Sequence, residues 1–150
     1  MKFILTKELG KLCKWLRILG FDSVYFKENN KGLLLLEALR QSRIILTRNH
    51  NISKERSVKV INIKSQNLKE QLTQLIQELN LNLDKEKMFS RCVICNLELE
   101  YIEKEKIKEK VPEYVFSTQN DFYICRGCNR IYWQGTHWGN VSKILEEIGR

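Results

Sequence analysis

Lys2-Phe-Ile-Leu-Thr-Lys-Glu-Leu-Gly-Lys-Leu-Cys-Lys-Trp-Leu-Arg-Ile-Leu-Gly20 changes its hydrophobic rhythm partway along, and that change decides the fold. Residues 2–5 read as a short buried strand, apolar from Phe3 to Leu5. From residue 7 to 19, Leu9, Leu12, Cys13, Leu16 and Leu19 recur at helical spacing. Thr6 suits the N-cap of that helix and Gly20 its stop. The outer face carries Lys7, Lys11, Lys14 and Arg17, a stripe able to face phosphates or simply water. A strand that feeds a helix without a loop is the opening of a β-α unit.

Working outward, the unit repeats. Val24-Tyr25-Phe26 reads as a second strand, and residues 28–32 as a polar loop before a Leu-rich helix over 33–41. Arg43-Ile-Ile-Leu-Thr47 reads as a third strand, apolar on both sides like a central parallel strand. Val58–Ile63 gives a fourth strand. Leu68, Leu72, Leu75, Ile76 and Leu79 mark an amphipathic helix capped by Asn67. Right-handed crossovers turn this order into a small parallel sheet flanked by helices.

Beyond residue 80 the rhythm stops, and 81–90 is expected to be a linker between an α/β domain (1–80) and a second module (91–150). That module holds two Cys-x-x-Cys pairs, Cys92/Cys95 and Cys125/Cys128, separated by residues 96–124. A two-residue gap lets one tight turn aim two thiolates at one point, and two such turns complete a tetrahedral shell. The spacing therefore predicts a zinc ribbon with a structural ion, an iron site or a pair of disulfides being the alternatives. Asn96 and Asn129 follow the pairs and tolerate the left-handed backbone these turns need. The alternating charges of 103–110 suit a short exposed helix closed by Pro112. Tyr114, Phe116, Phe122, Tyr123, Tyr132, Trp133 and Trp138 are expected to pack around the metal knuckles, with one or two left for base stacking. Val141, Ile144, Leu145 and Ile148 predict a last helix capped by Asn140.

The formal net charge is +8 over 150 residues, with an isoelectric point near 9.3. Such a balance calls for an anionic partner, and nucleic acid fits best because neutralised phosphates release counterions. No stretch reaches membrane-spanning length, and Phe3-Ile4-Leu5 ends in charge too soon for a signal peptide. A soluble, cytoplasmic protein is expected. There, paired cysteines more often bind metal than form disulfides. The fifth cysteine, Cys13, falls on the apolar face of the first helix.

Four segments carry a resemblance. Phe3-Ile-Leu-Thr-Lys-Glu-Leu-Gly-Lys-Leu-Cys-Lys-Trp-Leu-Arg-Ile-Leu-Gly-Phe-Asp22, Arg43-Ile-Ile-Leu-Thr-Arg48, Val111-Pro-Glu-Tyr-Val-Phe116 and Cys125-Arg-Gly-Cys-Asn-Arg-Ile-Tyr-Trp-Gln-Gly-Thr-His-Trp138 together resemble the Mut-seven C-terminal RNase domain family. The resemblance implies a PIN-like α/β nuclease domain followed by a zinc ribbon. It also implies carboxylates at the C-terminal edge of the sheet that hold magnesium or manganese: an Asp ending the first strand, acids before the second helix, and an Asp after the third strand. Here those places hold Thr6, Asn29 with Asn30, and Asn49.

Thr and Asn offer oxygen without negative charge, so a hard divalent ion loses most of its attraction. The expectation is an RNA-binding protein with weakened or lost metal-dependent cleavage, and magnesium or manganese held poorly at the PIN-like site. Glu28 is the best surviving acid, with Glu37, Glu55 and Asp22 nearby. His50 lies at the expected edge and is a candidate base. His137 matches a family motif position and is assigned to ribbon support or RNA contact. Lys7, Lys11, Lys14, Arg17, Arg48, Arg126 and Arg130 are the phosphate-contact candidates. Two rival readings stand beside this one: an active metal-dependent endoribonuclease using the remaining carboxylates, and a non-catalytic module docking on a larger ribonucleoprotein.

Overall fold

A computed structural model describes residues 1–53, 56–133 and 137–148, with 137–140 described by their backbone alone. β1 (Lys2–Thr6) runs through a 3-10 turn at Lys7–Leu9 into α1 (Gly10–Ile18). β2 (Asp22–Phe26), α2 (Lys31–Gln41) and β3 (Ile44–Thr47) follow, then a one-turn α3 (His50–Ser53), β4 (Val60–Asn62) and α4 (Leu68–Leu79). The four strands pair in parallel in the order β2-β1-β3-β4, with Leu5 between Tyr25 and Leu46. This is the expected parallel sheet flanked by helices.

Alternation along the central strands sends side chains to two cores. Phe3 and Leu5 of β1 and Leu46 of β3 face α1 and α4, where Leu9, Leu12, Leu16, Leu72 and Leu75 close over them. Ile4 and Ile45 point the other way, onto Leu34 and Ala38 of α2. Each of these aliphatic side chains is almost fully buried, which stabilises by roughly 1.5–3 kcal/mol apiece before entropy is counted. Asn30 and Asn67 cap α2 and α4 by accepting from the N–H groups of Leu33 and Glu70.

The segment 81–90 is packed, not extended. Met88 is buried, and Leu81, Leu83 and Phe89 lie against the main core. Gly20 adopts φ +96°, and a Cβ there would sit 2.5 Å from the Lys87 carbonyl oxygen, so this crossing requires glycine.

The second module is an antiparallel sheet in the order β5-β6-β7: β5 (Glu100–Ile102), β6 (Phe122–Ile124) and β7 (Ile131–Tyr132). The charged stretch forms a 3-10 turn at Lys104–Ile107, whose Ile107 is buried. Pro112 opens rather than closes a helix, α5 (Glu113–Thr118), because proline fits the start of a helix, where no N–H is needed. A run of six residues is too short for periodicity to reveal.

The last helix, α6 (His137–Ile148), starts before Asn140, which therefore lies inside it instead of capping it. It packs on the α/β unit: Val141, Leu145 and Ile148 join the main core, and Glu147 pairs with Lys69 of α4.

Candidate functional site

Among the described residues, the C-terminal edge of the sheet gathers the Thr6 and Thr47 hydroxyls around the Glu8 carboxylate. Thr6, buried at the end of β1, makes no capping bond. Its hydroxyl instead lies 2.6 Å from Glu8 Oε1 and 2.9 Å from Thr47 Oγ1. Glu8 Oε1 also accepts from the Arg48 backbone N–H at 2.9 Å and from Thr47 Oγ1 at 3.3 Å. Burial opposes ionisation of Glu8, but the bonds from Thr6, Arg48 and Thr47 outweigh it and hold the carboxyl below its ordinary value. Glu8 is the residue that sequence reasoning missed. It stood among the charges of a helix start, and only the 3-10 turn folds it back over the strand end.

Asn49 is joined to this edge through its N–H, which donates to Thr47 Oγ1 at 3.1 Å. Its side chain accepts from the Asn51 N–H, so its oxygen is used to start α3. Asn30 is likewise occupied as a cap. Glu28, Asn29 and His50 are exposed. Lys31 Nζ reaches the Asn51 carbonyl at 3.2 Å and ties the β2–α2 loop to α3. Glu37 pairs along its own helix with Arg40 and Gln41. Glu55 and the side chains of His137 and Trp138 lie outside the described residues. Among the described residues, no group of three or more acidic or histidine side chains converges as metal ligands would.

The cysteines do converge. The sulfurs of Cys92, Cys95, Cys125 and Cys128 all lie within 4.8 Å of one another. Each pair sits on the same kind of turn: Asn96 N–H donates to the Cys92 carbonyl at 2.9 Å and Asn129 N–H to that of Cys125 at 2.7 Å, both Asn with positive φ. The left-handed asparagines expected from sequence are therefore present. At Gly127 a Cβ would stand 2.7 Å from Leu97 Cδ1, so a larger residue there would have to turn that exposed side chain aside.

Burial and the adjoining Cys128 and Cys125 push Cys95 up to about 12, whereas the Arg130 N–H and guanidinium draw Cys128 down to about 6. Four thiolates this close repel unless a cation lies between them. Tyr132 Oη is 3.0 Å from Cys92 Sγ, and burial together with that sulfur raises its hydroxyl. Donor type, crowding and knuckle geometry all fit a metal ion with four protein ligands and no open position.

A hydrogen-bond network joins the two modules. Arg17 is not on the exposed lysine stripe: it is 8% exposed, on the face shared with Cys13 one turn earlier. Its Nε donates to the Ser23 carbonyl at 2.8 Å and its Nη1 to those of Val93 and Ile94 at 2.8 and 3.2 Å. These bonds engage Nε and Nη1 and, with the side chain buried, hold Arg17 at the joint and off the exposed lysine stripe. Asn96 completes the joint, accepting from Ser23 N–H at 3.0 Å and donating to Asp22 Oδ1 at 2.6 Å. Arg43 Nη1 holds the same Asp22 oxygen at 2.8 Å. Burial works against ionised Asp22, yet Arg43 and Asn96 keep its carboxyl below the usual value.

Of the other basic candidates, Lys7, Lys11, Lys14, Arg126 and Arg130 are exposed. Arg126 pairs with Glu100 at 2.7 Å. Arg48 is half-buried, and its Nε has no hydrogen-bond partner among the described residues.

A parallel sheet with helices on both faces, followed by two cysteine knuckles that share one point, is the arrangement implied by the motif order. The Mut7-C RNAse domain family matches residues 1–145. The chain belongs to the Mut7-C RNase domain family. Searches of the curated proteins and of the solved structures give no match. Membership ties the chain to a ribonuclease-like, nucleic-acid-related function. Among the described residues, no helix is long and apolar enough to cross a membrane.

Proposed function

We propose that this Mut7-C domain binds RNA through a nuclease scaffold whose metal-dependent cleavage is weakened or lost, and that its four cysteines hold a structural zinc. The sheet edge carries the reading. Where clustered carboxylates would chelate a divalent ion, Thr6 and Thr47 hydroxyls converge on a single acid, Glu8, whose Oε1 is already committed to three donors. One carboxylate with half its oxygens in use offers a hard cation little charge and few ligands. It also repels an RNA backbone less than a cluster would. The exposed Lys7, Lys11 and Lys14 and the net charge of +8 supply the opposite attraction. The four sulfurs leave a bound ion no open position, which suits zinc as a fastening rather than as a reagent.

Glu8 also favours the rival reading: its depressed titration keeps it ionised at neutral pH. Incubating the purified protein with single-stranded and structured RNA and added manganese separates the two. Binding without cleavage, weakening steeply with salt, is the expected result. Manganese-dependent cleavage lost on Glu8→Gln would overturn the proposal, and a salt slope near zero would remove its electrostatic basis.

A further inference from the structure

Three tyrosines form one row across the ribbon sheet. Tyr101 of β5 is paired with Tyr123 of β6, and Tyr123 with Tyr132 of β7. Directly opposed residues of an antiparallel sheet project from the same face. The Tyr101 and Tyr123 rings meet edge to face, with centroids 6.0 Å apart and an interplanar angle of 78°. At the outer end Tyr101 is 59% exposed, unusual for so large a ring. At the inner end Tyr123 and Tyr132 open into a cavity of about 510 Å³, whose far wall is Trp15 of α1, with Met88 and Trp133 around it. That volume is within the range of small-molecule pockets.

The cavity is separate from the Glu8 edge, and no family feature used above accounts for it. Two cations stand beside it: Lys11 is one helical turn before Trp15 on the same face, Lys14 adjoins it, and both are exposed. The lining itself is charge-balanced, with Glu86 and with an Arg91 that is already held by Glu98 and the Asn96 carbonyl. Aromatic faces that start in solvent and run inward beside cations match what single-stranded nucleic acid asks of a protein. Bases stack on rings regardless of sequence while phosphates follow the charge. A duplex cannot use such a row, because its bases are already stacked on one another.

We propose that the tyrosine row is a stacking platform for single-stranded RNA, with one base on Tyr101 and a neighbouring base seated in the cavity against Tyr123 and Trp15. Lys11 and Lys14 take the flanking phosphates. This rests on the RNA-binding reading and adds the strand form and the place. Polar groups at the cavity are few, so the platform reads strandedness rather than sequence.

The test uses the metal-loaded full chain, titrated with a labelled oligouridylate and with the same strand annealed to its complement, at several salt concentrations. Wild type is expected to prefer the single strand, and its tryptophan fluorescence to fall on binding. Tyr101→Ala should weaken single-strand binding by about fivefold or more, with the duplex affinity, salt slope and melting temperature unmoved. Tyr101→Phe should restore the affinity, because the ring face is what acts. Trp15→Phe should remove most of the quenching. Salt-dependent binding by wild type with no change in Tyr101→Ala or Trp15→Phe would overturn the platform and leave the RNA reading standing. Absence of any RNA binding would overturn both, and loss of a protein partner in Tyr101→Ala with RNA affinity unchanged would assign the row to protein docking.

Discussion

Arg17→Met is the perturbation that most directly tests whether the cysteine module and the sheet form one body. The substitution keeps much of the aliphatic stem of the side chain and removes the guanidinium. Three carbonyls lose this donor: Ser23 at 2.8 Å, which keeps only the weak Cys13 thiol at 3.5 Å, Val93 at 2.8 Å and Ile94 at 3.2 Å. Leaving a buried acceptor unpaired costs about 1–3 kcal/mol. Ser23 is fully buried, while Val93 and Ile94 are nearer solvent and regain water in part. The sum is about 3–4 kcal/mol, a large share of the roughly 5–15 kcal/mol that holds a domain together. For a chain of this size each kcal/mol moves Tm by about 2–4 °C, so a fall of about 6–16 °C is expected. The assays are urea unfolding of metal-loaded protein and metal transfer to a chromophoric chelator. Because Val93 and Ile94 lie between Cys92 and Cys95, the variant should also release metal faster. Arg17→Lys keeps the charge without the fork and should fall in between. A loss under about 1 kcal/mol, or a drop in stability with metal release unchanged, would refute the argument that this side chain joins the modules.

Further outcomes follow from the same geometry. Thiols must shed protons to bind a metal, so retention should weaken as pH falls from about 8 to about 5, which transfer to the same chelator measures. Chelation should expose the backbone N–H of Ser23, which Asn96 holds, to hydrogen exchange; protection unchanged in the metal-free protein would contradict the coupling. Glu8 titrates below its ordinary value when folded, so its stabilising effect is complete above the unfolded carboxylate range and is lost as pH falls through the depressed value. Glu8→Gln should flatten that acid limb of the Tm profile, and an unaltered limb would mean its bonds do not favour the charged form. The double variant Thr6→Asp with Asn49→Asp places new carboxylates near Glu8. It should lower Tm without metal by mutual repulsion and gain a manganese-dependent rise, measured by thermal shift with and without the ion.

Much of this was present in the chain before any tertiary contact. The apolar runs at 3–5 and 44–46 and the leucine spacing of the first and fourth helices call for a covered parallel sheet, which buries strands on both faces. The cysteine spacing with its trailing asparagines determines the knuckles, since a turn of that length is a local object. That positions 6, 29, 30 and 49 hold Thr or Asn and no carboxylate was equally plain, because that is a property of the residue itself.

Tertiary structure decided what depends on direction. Arg17 and Lys14 look alike among the helix charges, but three residues of helix place one against Ser23 and the other in water. Glu8 becomes the acid of the sheet edge only because a 3-10 turn bends it back to Thr6. The last helix joins the α/β core because its apolar face finds α4. Periodicity states that a residue is buried or exposed, whereas the partner that buries it is set by crossings between segments far apart in the chain. The opening strand and helix thus carried the fold in their own pattern, and the modules' union waited on contacts that no local pattern encodes.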